Sequence, residues 1–299
     1  MNLHGIFAPL TTPFGSDGSV SLSHLRDNIK RYNQTRLAGY AINGSTSESV
    51  LLRWDEVYSI WETAREASAP DKLLIAGSGA ESTAETIEHT NRAASAGYTA
   101  ALVRTPSFYK PAMTEEALAE HYLRVADGAR IPILLYSVPI FTHVNVEAPL
   151  VARVSKHPNI IGMKDSSGNV QGVADIIAAA PKQFQTLVGS ASTLYESLEK
   201  GAVGAILAIA CAFPELSADI YESSRSGDSA KAHSLAQKLI APAKMFGPQY
   251  GIAGLKYALD GLGYFGGPAR LPLLPVGEAA REEIDALLSN RATQSAHLL

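Results

Sequence analysis

The run Ile160-Ile161-Gly162-Met163-Lys164-Asp165-Ser166-Ser167-Gly168 places a lysine at the end of a short apolar β-type segment, with small polar residues directly after it. Lysine is seldom enclosed by protein, because an ammonium taken out of water loses its hydration and shifts toward the neutral amine. A neutral amine in an enclosed pocket is a nucleophile that can form a Schiff base with a carbonyl compound. A second apolar run ends in Leu135-Tyr136-Ser137-Val138-Pro139, which puts a phenol at the equivalent point of a neighbouring strand. A third ends in Asn43-Gly44-Ser45-Thr46-Ser47-Glu48-Ser49, where hydroxyls and free N–H groups could hold a carboxylate. Each feature also admits a plainer reading. Lys164 could pair with a carboxylate at a rim, Tyr136 could be a core aromatic with a backbone-capped hydroxyl, and Ser45 or Thr46 could be a helix N-cap. Lys164 and Tyr136 at matching strand ends point to one shared pocket, which favours chemistry.

The elements that must position these residues alternate along the chain. Strand-like runs are expected at Gly5–Pro9, Gly39–Asn43, Leu73–Ala76, Ala100–Arg104, Ile133–Tyr136, Ile160–Lys164, Thr186–Val188 and Ala205–Ala208. Most are followed by Gly, Ser, Thr or Pro and then by a helical pattern, as at Asp55–Ala67, Ser82–Ala96, Thr114–Ala126 and Val170–Ala179. This rhythm predicts a closed (β/α)₈ TIM barrel, whose strand C-terminal ends and following loops build the active site. A doubly wound open sheet is the competing architecture. It usually carries a glycine-rich dinucleotide turn, and Gly77-Ser78-Gly79-Ala80-Glu81-Ser82 has only the first two glycines. Beyond Ala208 the pattern is helical, at Glu215–Ser224, Ser229–Ala243, Ile252–Gly261 and Glu278–Ser289, with a rigid turn at Gly261–Pro268 and a frayed polar tail from Arg291. The expected division is a catalytic barrel over 1–225 and a C-terminal helical extension over 226–299.

Composition narrows the function. The chain has 299 residues and a net charge of -4, which gives no electrostatic case for nucleic acid or anionic membranes. No uncharged apolar run reaches the roughly 18 residues of a membrane span, and the start lacks a signal peptide, so a cytoplasmic location is expected. The single cysteine, Cys211, lies in an apolar stretch and reads as a small buried hydrophobe. The eight histidines are scattered without metal-ligand spacing, and neither a Walker loop nor a Gly-x-Ser-x-Gly elbow occurs. No metal and no cofactor are expected. A phosphate-binding barrel isomerase is disfavoured, because the seventh and eighth strand ends lack a glycine-rich phosphate turn.

Taken in order, Gly44-Ser45-Thr46-Ser47-Glu48, Tyr136 in Leu-Tyr-Ser-Val-Pro and Lys164 in Gly-Met-Lys-Asp-Ser resemble the dihydrodipicolinate synthase/N-acetylneuraminate lyase superfamily. The resemblance runs from Thr11-Thr12-Pro13-Phe14 to Gly266-Gly267-Pro268. The stretches Leu74–Gly79, His157–Asp165 and Gly263–Pro268 look closest to 4-hydroxy-2-oxoglutarate aldolases. It implies a class I pyruvate aldolase or lyase, acting on pyruvate and a small aldehyde or 2-oxo acid and assembled as a homotetramer, a dimer of dimers. By the same resemblance Lys164 forms the imine and Tyr136 relays protons. Ser45 and Thr46 hold the pyruvyl carboxylate, with Thr46 also linked to Tyr136. Gly189 admits the substrate, Ile206 offers a backbone carbonyl, and Ser166 lines the pocket for the aldehyde half.

Three positions depart from the pattern. Ser47 stands where the motif Gly-x-x-Gly-Glu has its second glycine. Phe141, flanked by Ile140 and Thr142, stands where the synthases carry an arginine for the aldehyde's carboxylate, and a phenyl ring cannot bind a carboxylate bidentately. Phe108, in Pro106-Ser107-Phe108-Tyr109-Lys110, aligns with a relay tyrosine that reaches the neighbouring subunit, so that either the relay is shortened or water and Tyr109 complete it. The leading expectation is therefore cleavage of 4-hydroxy-2-oxoglutarate or a related 2-oxo acid. The alternatives are dihydrodipicolinate synthase activity on aspartate semialdehyde and a non-catalytic barrel that senses a 2-oxo acid.

Overall fold

The computed structural model describes residues 1–296 of the 299, and side chains as far as Ser289. Eight parallel strands close into a barrel: β1 (Gly5–Pro9), β2 (Gly39–Ile42), β3 (Leu73–Gly77), β4 (Ala100–Arg104), β5 (Ile133–Ser137), β6 (Ile160–Asp165), β7 (Gln185–Val188) and β8 (Gly204–Ile206). Each pairs with the next, and β8 pairs back onto β1. The strands read as nearly continuous apolar runs because both faces are covered, by helices outside and by one another inside. Phe7, Ala41, Ile75, Leu102, Leu134, Leu187 and Ile206 fill the interior, with Tyr136 in the same cluster.

The strands differ from expectation mainly at their ends, and the ends matter most. β2 stops at Ile42 because Asn43 turns into the left-handed region, at φ 66°. β5 and β6 each run one residue further than expected, and β8 ends at Ile206 because Ala208–Cys211 form a 3₁₀ turn. Between β5 and β6 the register shifts: Ile133 lies opposite Ile160, yet Leu134 lies opposite Gly162. This bulge absorbs one residue. Ile160 and Met163, three apart, both pack toward the helices, whereas Ile161 packs against the barrel interior. Strict alternation would put Met163 opposite Tyr136, and the bulge puts Lys164 there.

Around the barrel, the expected helices appear at Trp54–Ala67, Thr83–Ser95, Glu115–Gly128 and Val170–Ala179. Ser82, Thr114 and Asn169 cap three of them from just outside, each side chain accepting a hydrogen bond from a backbone N–H of the first turn. Helices at Leu22–Tyr32, Pro214–Arg225, Ala148–Val154 and Leu194–Glu199 complete the outer ring. The last two are too short to leave a periodic signal.

After β8 come helices Pro214–Arg225, Ser229–Lys244 and Gly251–Gly261, with a π-helical turn at Met245–Gln249 before the last of these. The glycine-rich segment behind Gly261 is pinned by Asn28, whose side chain both donates to Phe265 O and accepts from Phe265 N, each at 2.8 Å. A final helix runs from Glu278 to Ala296, past the expected fraying point at Arg291; the last three residues lie outside the described ones. Among the described residues, no helix is long and apolar enough to cross a membrane.

Candidate active site

Lys164 and Tyr136 project from adjacent strands into the C-terminal mouth of the barrel, 6% and 5% exposed. Lys164 Nζ donates to Tyr136 Oη at 3.4 Å and lies 4.4 Å from the centre of the phenol ring. Among the described residues no carboxylate pairs with Lys164, so the rim ion pair does not form. Asp165, the obvious candidate, is turned away: its Oδ1 accepts from Ser167 N at 3.0 Å and from Ser167 Oγ at 2.6 Å. Burial raises the Asp165 carboxyl above its ordinary range, against the pull of those two hydrogen bonds. The core-aromatic reading of Tyr136 fares no better, because its hydroxyl meets two side chains rather than a backbone group.

The second of those side chains is Ser45, whose Oγ lies 3.3 Å from Tyr136 Oη. Amine, phenol and hydroxyl thus form an unbroken chain in which protons can pass. The link to Tyr136 expected of Thr46 is made by Ser45; Thr46 is buried one residue further on. Neither residue caps a helix through its side chain, for Ser45–Ser47 form a single 3₁₀ turn behind Gly44.

That turn is tied down on every side. Ser47, where a second glycine was expected, accepts from Asn43 N at 3.1 Å and donates to Leu10 O at 2.6 Å through its hydroxyl. Thr12 Oγ1 holds Ser47 O at 2.7 Å. The serine therefore replaces glycine without freeing the loop. Glu48 follows in the left-handed region, at φ 60° and ψ 36°, with its side chain fully buried against Lys256.

Gly189, just after β7, meets the amine from the other flank. A Cβ there would collide with Ser166 Oγ and stand 2.9 Å from both Ser166 Cβ and Lys164 Cε. Only a bare backbone fits between those two side chains. Ile206 ends β8 with its side chain buried in the barrel interior. Ser166 follows β6, its N–H donating to Ser137 O at 2.9 Å. The expected site residues therefore converge from β2, β5, β6, β7 and β8 on one mouth.

A cavity of ≈ 280 Å³ opens beside this chain, lined by Ser45, Tyr136, Asn43 and Arg104 among others, but not by Lys164. Arg104 is paired there with Glu81 Oε1 at 2.6 Å, and Glu81 Oε2 accepts from Ser107 N and Phe108 N. Phe108, Tyr109 and Phe141 lie on the surface, 79%, 72% and 62% exposed, so in the single chain neither aromatic of the 108–109 pair reaches the phenol. Cys211 is buried as expected, and burial pushes its thiol up to about 12. No group of three or more His, Cys, Asp or Glu among the described residues could hold a metal.

Sequence reasoning missed Lys256 and Arg270 as parts of this neighbourhood, and gave Glu48 a place in the motif without its buried partners. Lys256 carried a signal, being a lysine in the otherwise apolar face of Gly254-Leu255-Lys256-Tyr257-Ala258.

The geometry has close counterparts among known proteins. Residues 2–291 match the family model described as the dihydrodipicolinate synthetase family. The 4-hydroxy-tetrahydrodipicolinate synthase of Rhizobium meliloti is 35% identical over 286 residues, covering 95% of this chain and 97% of that protein. The same enzyme of Methanothrix thermoacetophila is 33% identical, covering 95% and 96%. Among solved structures, the 4-hydroxy-tetrahydrodipicolinate synthase of Methylacidiphilum fumariolicum SolV superposes with a TM-score of 0.93 at 26% identity, covering 99% of this chain and 98% of that one. The dihydrodipicolinate synthase of Acinetobacter baumannii, solved in complex with pyruvate, gives 0.92 at 28% identity, covering 96% and 98%. With its (β/α)₈ barrel and its buried lysine beside a phenol, the chain belongs to the dihydrodipicolinate synthetase family and is a carbon–carbon lyase.

Proposed function

We propose that this enzyme condenses pyruvate with a small aldehyde through an imine on Lys164, in the sense of 4-hydroxy-tetrahydrodipicolinate synthase. The buried Lys164–Tyr136 pair, free of a carboxylate partner among the described residues, carries the reading. Lys164 Nζ adds to the ketone of pyruvate and water leaves, giving the protonated imine. Loss of a methyl proton forms the enamine, whose carbon attacks the aldehyde while a proton passes to the new alkoxide. Tyr136, between Lys164 and Ser45, is the group that carries protons in these steps. Ser45 and Thr46 hold the pyruvyl carboxylate, Gly189 lets the ketoacid approach, the Ile206 carbonyl faces it, and Ser166 lines the aldehyde half.

The names of the relatives support the synthase over the aldolase that the sequence favoured. The second reading, cleavage of a 4-hydroxy-2-oxo acid such as 4-hydroxy-2-oxoglutarate to pyruvate and an aldehyde, is favoured by Phe141, which offers no guanidinium to the carboxylate of aspartate semialdehyde. Exposed Phe108, Tyr109, Ile140 and Phe141 support burial against other copies in a homotetramer.

Incubation with pyruvate and borohydride, followed by peptide mapping, should place a reduced adduct on Lys164. An unmodified Lys164 in folded, pyruvate-saturated protein would defeat both readings. Coupled assays then separate them: turnover of aspartate semialdehyde supports the synthase, and pyruvate release from 4-hydroxy-2-oxoglutarate without it supports cleavage.

A further inference from the structure

The turn bearing Ser45 and Thr46 ends on a charge buried without access to water. Glu48 Oε1 accepts from Lys256 Nζ at 2.8 Å, and Glu48 Oε2 accepts from Arg270 N at 2.7 Å. The side chains of Glu48 and Lys256 are 0% and 1% exposed. Lys256 Nζ also donates to Thr12 O at 2.8 Å, and Thr12 Oγ1 grips Ser47 O inside the same turn. Both Lys256 and Arg270 lie over the Phe14 ring, each 4.4 Å from its centre. The Arg270 guanidinium is itself fixed by Glu56 at 2.7 and 2.8 Å and by Leu51 O at 2.9 Å. Gly266 packs so tightly on the backbone of Lys256 that a Cβ would collide with it.

A buried ion pair is a poor device for stability alone, since an apolar pair of similar volume often does as well. What charge supplies here is direction. In the position it occupies the carboxylate satisfies both Lys256 and Arg270, and that position goes with the left-handed conformation of Glu48 at the end of the turn that carries the hydroxyls.

We infer that Glu48 and Lys256 are positioning residues for the 2-oxo acid: the C-terminal helical region holds the Ser45–Thr46 turn through this pair and thereby sets the enzyme's affinity for the pyruvyl carboxylate. The inference rests on the proposed role of Ser45 and Thr46. Loosening the turn spoils binding more than chemistry, because Lys164 and Tyr136 stand on strands that the pair does not touch and only Ser45, the outer link of the proton chain, moves with the turn.

The double variant Glu48→Gln/Lys256→Met tests it. It keeps volume and an acceptor for Arg270 N while removing both charges. The expected result is a folded protein whose KM for pyruvate rises at least about tenfold while kcat stays within about threefold, a split that marks lost uniform binding. A folded double variant with wild-type KM would overturn the inference. Glu48→Asp is the milder second variant, since it keeps the charge but cannot span Lys256 and Arg270 without moving the turn. Its KM should rise too, and an unchanged KM there would overturn the inference even if the double variant did not fold. Borohydride trapping of the wild-type protein is the control: its failure would sink the Schiff-base reading itself, independently of these variants.

Discussion

Gly189→Ala is the sharpest probe of the packing around the amine. The added methyl would stand 2.9 Å from Lys164 Cε and from Ser166 Cβ and would collide with Ser166 Oγ. Ordinary carbon contacts need about 3.5–4.0 Å, so the Lys164 chain must retreat by roughly 0.5–1 Å and Ser166 by at least as much. The retreat costs stability, in the range of about 1–3 kcal/mol seen when a packed core is overfilled. The cost in function is larger, since misplacing a reacting group by about 1 Å can lower a rate by about 10². The rate of pyruvate-dependent borohydride trapping should therefore fall by about a hundredfold, while thermal melting still shows a cooperative folded state. Gly277→Ala, where a Cβ meets nothing within 4 Å, is the control and should trap at the wild-type rate. A folded Gly189→Ala protein that traps pyruvate as fast as the wild type would refute the reasoning, because the lysine would then not depend on its position beside that backbone.

Tyr136→Phe removes the hydroxyl that stands between Lys164 and Ser45, and kcat should drop by about 10²–10⁴ with adduct formation on Lys164 still detectable by mass spectrometry; a drop of less than tenfold would show that another group carries the proton. Phe141→Arg should lower KM for aspartate semialdehyde by about tenfold or more, by supplying a charge-assisted fork to its carboxylate, and a KM unchanged in steady-state assays would mean that position 141 does not face the substrate. His121 titrates at about 4, held down by burial, with Nδ1 2.9 Å from Thr83 Oγ1. Its folded pKa lies below the unfolded value near 6.5, so the unfolded chain binds the extra proton first. Stability is then full above about pH 6.5 and falls by roughly 3 kcal/mol toward pH 4. Urea unfolding across that range should show His121→Gln with a shallower pH slope, and identical slopes would count against the assignment.

Much of this site was legible before folding was considered. The alternation of apolar runs with helical segments is a property of local order along the chain, so the barrel could be read from it. Lys164, Tyr136 and the Ser45–Thr46 turn stood out because each closes a strand-like run with a residue type that apolar strands rarely end on. Gly189 was singled out only by resemblance, and its reason, the collision with Ser166, depends on where a different strand places its loop. The pairing of Glu48 with Lys256 was overlooked for the same cause: 208 positions separate them, and no local pattern links two charges that meet only when the barrel closes.

Chain order by itself determined which chemistry was available: an amine, a phenol and a hydroxyl turn, each at the tip of a segment fated to be a strand. Which of them face one another was decided only in three dimensions. Alternation alone would have set Met163 against Tyr136, and the bulge at Ile161 rotates Lys164 inward instead. Strand pairing and bulges are settled by contacts between segments, with each backbone N–H and C=O seeking a partner across the sheet, and a single chain read in order carries no record of that choice.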